Sequence, residues 1–333
     1  MIKPVTTATT LVTEDGVPIN AVHLPGPKDV AIIVAHGFTL SWQRPMVWKI
    51  AKRLNQDGGV VTFDFRGHGR SGGLSTMGDR EINDLGVAVA YARELGYERV
   101  VAIGFSMGAS VVVRYAGLVG GLDAAVSVSG PGRWYYRGTK QMRRVHWAVE
   151  RRAGRLVTRT WLKTRVSPAG WNPVPVPPSE AAAKIAPTPF LVVHGDKDVY
   201  FPLDHAYQLY EAAAEPKDLW VVPGFGHAET AASASLGLID RIRGWARQAA
   251  LAGPPAPAGE PARAAQSALA GEPALAGEPA PPAPPAVPSQ PAVIAEPAAA
   301  VSPLSSADGT VVPPRNGPAP LPPQGPPPGL QPA

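Results

Sequence analysis

Gly104-Phe105-Ser106-Met107-Gly108 sets a serine between two glycines, an arrangement that can hold a hydroxyl outward on a sharp strand-to-helix turn. A hydroxyl attacks a carbonyl efficiently only when a base takes its proton and a third group orients that base. Imidazole and carboxylate groups follow in the chain. His227 closes the loop Pro223-Gly224-Phe225-Gly226-His227, and an imidazole titrates near neutrality, so it can accept a proton and return it. Between serine and histidine, the loop His194-Gly195-Asp196-Lys197-Asp198 carries two carboxylates. The spacing after Gly195 favours Asp198 as the orienting group and leaves Asp196 as a turn residue bonded to nearby backbone. Acyl chemistry also needs donors for a developing oxyanion; the backbone N–H groups of Phe38, in His36-Gly37-Phe38, and of Met107, next to the serine, suit that task.

Strands must position these loops, and a short apolar run precedes each of them. Val30 to Ala35 ends at His36, Arg99 to Ile103 leads to the serine, and Phe190 to Val193 and Leu219 to Val222 precede the acidic and histidine loops. Unbroken runs of this kind indicate strands buried on both faces. Gly59 to Phe63 and Ala124 to Ser129 have the same character, and Ala109 to Tyr115 reads as the start of a helix after the serine. Glycine at 104 and 108 lets strand and helix approach, so bulk at either position is expected to strain the turn. The imidazole of His36 reads as locally bonded, His68 and His194 as structural loop residues, and His23, His146 and His205 lack any catalytic context.

The order Ser, Asp, His, each after a strand, is that of α/β-hydrolases. On the segments His36 to Phe38, Asp64 to Ser71, Gly104 to Gly108, Gly195 to Asp198 and Gly226-His227, the chain from about 10 to 250 resembles that superfamily, in its serine esterase, lipase and serine aminopeptidase-like group. The resemblance implies a mostly parallel α/β sheet with helices on both faces, Ser106 as nucleophile, Asp198 and His227 as its partners, and an oxyanion hole at Phe38 and Met107. It assigns Arg66 and His68 to bracing beneath the oxyanion loop. Serine at 106 also separates the chain from dehalogenases and epoxide hydrolases, which share the fold and use aspartate there.

Composition fits a soluble enzyme. With 333 residues, 45% of them hydrophobic, the chain can bury one large core. It has no cysteine, so neither disulfides nor a thiolate metal site can form. The histidines and carboxylates lack metal-ligand spacing, and the expected chemistry requires no cofactor. Met1 to Thr7 lack the apolar stretch of a signal peptide, and no run of about 18 apolar residues exists for a membrane span; cytoplasm is the expected location. Of the 40 prolines, 24 fall after residue 250, so residues 251–333 are expected to form a disordered Pro/Ala-rich tail on a domain of residues 1–250.

Positive charge is concentrated in one interval. Residues 131–170 carry eleven Lys and Arg against Glu150 alone, whereas the whole chain sums to only +5. Family resemblance places a cap over the active site here, across residues 131–188. Met142, Val145, Val149, Ala153 and Leu156 share one stripe of a helical wheel, and Lys140, Arg144, Arg151, Arg155 and Arg159 share the other. That pattern predicts one basic amphipathic helix, packed over the site or presented to an anionic partner such as phospholipid headgroups or the phosphates of an acyl-CoA. Nucleic acid is not an expected partner, because no groove-reading module is present. The sequence thus points to hydrolysis of a small acyl substrate, an ester first and a thioester or peptide next. The alternative from another class is a non-catalytic scaffold or membrane-surface protein built on the basic cap and the tail.

Overall fold

A computed structural model describes residues 6–253; most of the proline-rich tail lies outside them. The chain begins with the antiparallel pair β1 (Thr7–Val12) and β2 (Pro18–Leu24), the hairpin expected near Thr6 to Leu24. It continues through β3 (Val30–Ala35), α1 (Pro45–Leu54), β4 (Gly59–Phe63), α2 (Glu81–Glu94), β5 (Arg99–Phe105), α3 (Met107–Leu118) and β6 (Ala124–Val128). Helices α4 (Lys140–Glu150), α5 (Arg152–Thr160) and α6 (Pro178–Ala182) come next. The remaining elements are β7 (Phe190–Gly195), α7 (Asp204–Ala212), β8 (Lys217–Val222), α8 (Ala228–Ala234) and α9 (Leu236–Ala252).

The strands form one sheet in the order β1-β2-β4-β3-β5-β6-β7-β8, antiparallel at the β1 edge and parallel from β4 to β8. Side-chain alternation in the parallel strands explains their unbroken apolar sequences, since both faces are covered. In β3, Ala31, Ile33 and Ala35 join the core beneath α2, α3 and α7, while Val30, Ile32 and Val34 join the core beneath α1, α8 and α9. After β3 the chain moves outward to β4 and then returns across it to β5 on the other side. The strand order reverses between β3 and β5, where open α/β sheets form a crevice at the carboxyl ends of their strands.

Residues 131–188 lie between β6 and β7, and the single long helix expected there does not form. Arg151 adopts an extended conformation (φ −93°, ψ 140°) and divides α4 from α5. Only the α4 half of the predicted stripe turns inward: Met142, Val145 and Val149 line the cleft above the sheet, while Ala153 and Leu156 are exposed. The physical cause is the pairing of the two short helices. Buried Gly154 and Thr158 face inward on α5, and a Cβ at 154 would lie 2.3 Å from the carbonyl oxygen of Trp147 on α4. The insertion is fastened below by Ser75 and Val166, which form a parallel bridge, and by the Trp171 indole N–H, which donates to the Thr76 carbonyl.

Candidate active site

The Ser106 turn is built by two close approaches. Ser106 lies at φ 52°, ψ −114°, a region that side-chain-bearing residues rarely occupy and that costs about 1–3 kcal/mol. A Cβ on Gly104 would fall 2.3 Å from the Gly108 carbonyl oxygen, and one on Gly108 would fall 2.2 Å from that of Ala35. The start of α3 therefore rests directly on β5 and β3, and the serine occupies the tip between them.

Parallel pairing then brings the other loops to it. The register sets Ala35 opposite Gly104 and Phe105 opposite Val128, while Val193 lies opposite Trp220. Ser106, Asp198 and His227 consequently meet at the carboxyl end of the sheet from three different strands. The Ser106 Oγ lies 2.9 Å from Nε2 of His227, and His227 Nδ1 lies 2.7 Å from Oδ2 of Asp198. The Asp198 side chain is fully buried and also accepts the backbone N–H groups of Tyr200 and Phe201, at 2.8 and 3.0 Å, on Oδ1. Burial alone would raise its carboxyl, yet the hydrogen bond from His227, the electrostatic pull of the His227 and His194 rings and the Phe201 N–H outweigh burial and hold it below the ordinary carboxylate value. Tyr200 stacks on the His227 ring at 4.2 Å, and the Ala228 N–H donates to Ser129 Oγ at 3.0 Å. Both contacts fix the orientation of the imidazole.

Asp196 takes the turn role instead, its Oδ1 accepting the Gly224 N–H at 2.7 Å. Phe38 and Met107 both line the cleft, and among the described residues neither backbone N–H donates to a protein acceptor. His194 lies within β7 rather than in a loop, and of the histidines away from the Ser106–Asp198 line all but one stay out of the cleft. His36 is buried, accepts the Phe65 N–H on Nε2 and bonds the Gly37 carbonyl through Nδ1; burial pushes its pKa down to about 4. His68, also buried, is lowered to about 4 first by burial and then by His36. His146 is the exception: it lines the cleft and bonds Glu150 at 2.7 Å.

The Asp64 to Ser71 loop is tied by buried side chains to the loop that carries Phe38. Asp64 accepts the Trp42 and Arg70 N–H groups, and Arg66 is committed to Asp84 and Asp15. Sequence reasoning missed Glu229, which is buried and lines the cleft. Its Oε1 accepts the Gly37 N–H at 2.5 Å, so one carboxylate ties the histidine loop to the loop bearing Phe38. Burial raises this carboxyl, with the Glu229 and Gly37 N–H groups opposing the rise. The signal was an acid two residues after His227, in a stretch otherwise of small residues.

These groups open into a cleft of about 790 Å³, within the range of about 300–1,000 Å³ typical of small-molecule sites. Its walls include Met142, Val145, Trp134, Trp171 and Phe201, predominantly apolar surface around one polar floor. No cluster of three or more His, Asp or Glu side chains among the described residues could hold a metal ion. None of the described helices is long and apolar enough to cross a membrane.

Comparison with known proteins fits this geometry. The model of the Alpha/beta hydrolase family matches residues 32–234, more than half of the chain. The chain belongs to that family. Among curated relatives of this hydrolase, the uncharacterized protein YqkD of Bacillus subtilis (strain 168) is 28% identical over 224 residues, spanning 64% of this chain and 70% of YqkD. The uncharacterized protein YfhR of Escherichia coli (strain K12) is 26% identical over 228 residues, spanning 65% and 71%. Among solved structures, the Pyrococcus furiosus esterase Pf2001 aligns with a TM-score of 0.57 at 24% identity, over 72% of this chain and 91% of that one. The alpha/beta hydrolase GrgF from Penicillium sp. sh18 aligns with a TM-score of 0.61 at 18% identity, over 75% and 100%. Likeness at these identities speaks for the fold.

Proposed function

We propose that this hydrolase cleaves a small acyl substrate, a carboxylic ester, through an acyl-enzyme intermediate. The observation that carries the reading is the continuous hydrogen-bonded line from Ser106 Oγ through the His227 ring to Asp198. In the first half-reaction Ser106 Oγ attacks the acyl carbon while His227 Nε2 accepts the hydroxyl proton. Asp198, hydrogen-bonded to Nδ1, stabilises the resulting imidazolium. The Phe38 and Met107 N–H groups receive the oxyanion, and His227 returns the proton to the departing alcohol. Water then attacks the acyl-serine, giving its proton to His227, and collapse of the second tetrahedral intermediate releases the acid and restores the Ser106 hydroxyl.

The insertion acts as a cap in this reading, and its Met142, Val145 and Val149 side chains suit an apolar acyl chain. A thioester would react by the same steps. An aminopeptidase would need a carboxylate for the substrate's free amine; the insertion's Glu150 is already bonded to Arg137 and His146, which favours the ester. The test pairs fluorophosphonate labelling of wild type and Ser106→Ala with turnover of p-nitrophenyl esters of increasing chain length, acyl-CoA thioesters and aminoacyl amides. Labelling lost only in the mutant, with the highest kcat/KM on an ester, is expected. Unlabelled, folded wild type would overturn the reading in favour of a non-catalytic scaffold.

A further inference from the structure

The outer face of α5 is built the wrong way round for a helix that meets only water. Its inward positions are Gly154 and Thr158, whereas Leu156, at the centre of the opposite face, is 61% exposed. Helical spacing puts Arg152 and Arg159 beside Leu156 on that face, and both are exposed. Trp161 follows the last turn and is 81% exposed, with Val157 and Leu162 beside it and Trp147 of α4 also bare. Of the eleven large apolar side chains exposed among the described residues, seven belong to this insertion, so the exposure is regional rather than scattered.

Uncommitted charge lies on the same two helices and directly after them. Among the described residues, the side chains of Lys140, Arg144, Arg151, Arg152, Arg159 and Lys163 have no ion pair or hydrogen bond. The interval's single carboxylate, Glu150, is taken by Arg137 and His146. Exposed aliphatic and indole groups that share two short helices with long cationic side chains match the interface of an anionic bilayer: apolar groups enter below the headgroups, while Lys and Arg reach up to the phosphates. A nucleic acid would use the charge and leave Leu156, Val157 and Leu162 without partners.

We propose that the outer face of the α4–α5 insertion docks on an anionic lipid bilayer. Leu162 and Arg144 also line the cleft, so a docked molecule would hold its cleft mouth near the lipid surface and take an amphiphilic ester from it. That delivery step rests on the hydrolase reading; the docking itself does not.

The experiment is co-sedimentation of the full chain, as wild type and as Ser106→Ala, with phosphatidylglycerol-containing and pure phosphatidylcholine vesicles at fixed salt. Binding to the anionic vesicles alone is expected, and equally for both proteins. At about fivefold per basic residue near the surface, Arg152→Glu with Arg159→Glu should weaken partitioning by at least about 25-fold. Leu156→Ser with Trp161→Ser should weaken it by about tenfold or more. The control pair Arg44→Glu with Lys49→Glu, exposed on and before α1, makes the same change in net charge and should leave most of the binding intact. Folding of each variant is checked by its thermal melt. The proposal fails if wild type ignores anionic vesicles, if it binds neutral ones equally, or if the control loses as much as the insertion variants. It also fails if the same face prefers a single- or double-stranded oligonucleotide. Vesicle binding without ester turnover would sink only the hydrolase reading; turnover of soluble esters without vesicle binding would sink only this one.

Discussion

Glu229 offers the sharpest test of how the site is held together. Its carboxylate is 3% exposed and accepts the N–H of Gly37, the residue before the proposed oxyanion donor Phe38. Glu229→Ala would leave that buried donor unsatisfied, at a cost of about 1–3 kcal/mol. In a domain of this size each kcal/mol lowers Tm by about 2–4 °C, so a drop of roughly 2–12 °C is expected. Complete loss of one oxyanion donor lowers kcat by about 10²–10³. Glu229→Ala displaces the donor loop without deleting the donor, so a fall of about 10- to 100-fold is expected, with KM nearly unchanged because the donor acts on the transition state. Glu229→Gln keeps a carbonyl oxygen for the Gly37 N–H and should restore most of the rate. Steady-state kinetics on a p-nitrophenyl ester, with thermal melts of the same samples, read both effects. Undiminished kcat in a Glu229→Ala protein that melts lower would reduce the residue to packing. A Glu229→Gln variant as slow as Glu229→Ala would refute the hydrogen-bond argument itself.

Asp198→Asn should lower kcat by about 10⁴ through loss of the correct imidazole tautomer, whereas Asp196→Asn, which keeps its acceptor for Gly224, should stay close to wild type; equal losses in ester turnover would contradict the assignment. Gly108→Ala sets a methyl group against the backbone of β3 and should destabilise by about 3 kcal/mol or more, read as a lowered urea midpoint, and an unchanged midpoint would count against the close approach. Asp15 is held at about 2, below its ordinary 3.8, because hydrogen bonds from Arg66 and Thr13 outweigh the opposing effect of burial. The folded chain thus binds that proton less readily than the unfolded one. Its stabilising contribution is full above about pH 4 and disappears as pH falls towards 2. Asp15→Asn should therefore shrink the wild-type loss of urea midpoint between about pH 5 and about pH 3, and an unaltered loss would contradict the pairing.

The sheet and the relay were legible because their signals are local. Val30 to Ala35 is buried on both faces and so must be apolar at every position, and the glycines around Ser106 are required by contacts within the turn. The sequence order of Ser106, Asp198 and His227, each after such a strand, then leaves few arrangements for the loops. The insertion was legible in place and charge but not in shape. No proline or glycine stands at Arg151 to mark the break; it follows from Gly154 seating α5 against the α4 backbone, a tertiary contact that a helical wheel cannot register. Glu229 escaped for a related reason. An acid in the first turn of a helix reads as a solvated favourable charge, and only the fold shows that this turn points at Gly37.

The place where the insertion joins the sheet has an evolutionary consequence. It leaves from β6 and returns into β7, neighbouring parallel strands locked from Ala125 opposite Phe190 to Val128 opposite Val193. The hydroxyl, carboxylate and imidazole hang from the ends of β5, β7 and β8. The α4–α5 part of the insertion can thus be lengthened, recharged or replaced while the reacting atoms keep their spacing, whereas α6, whose Ala181 and Ala182 are buried against α3, belongs to the core. The architecture thus separates the helices over the cleft from the strand ends that hold the reacting atoms, and grafting another family member's α4–α5 segment at this place would vary the one without moving the other.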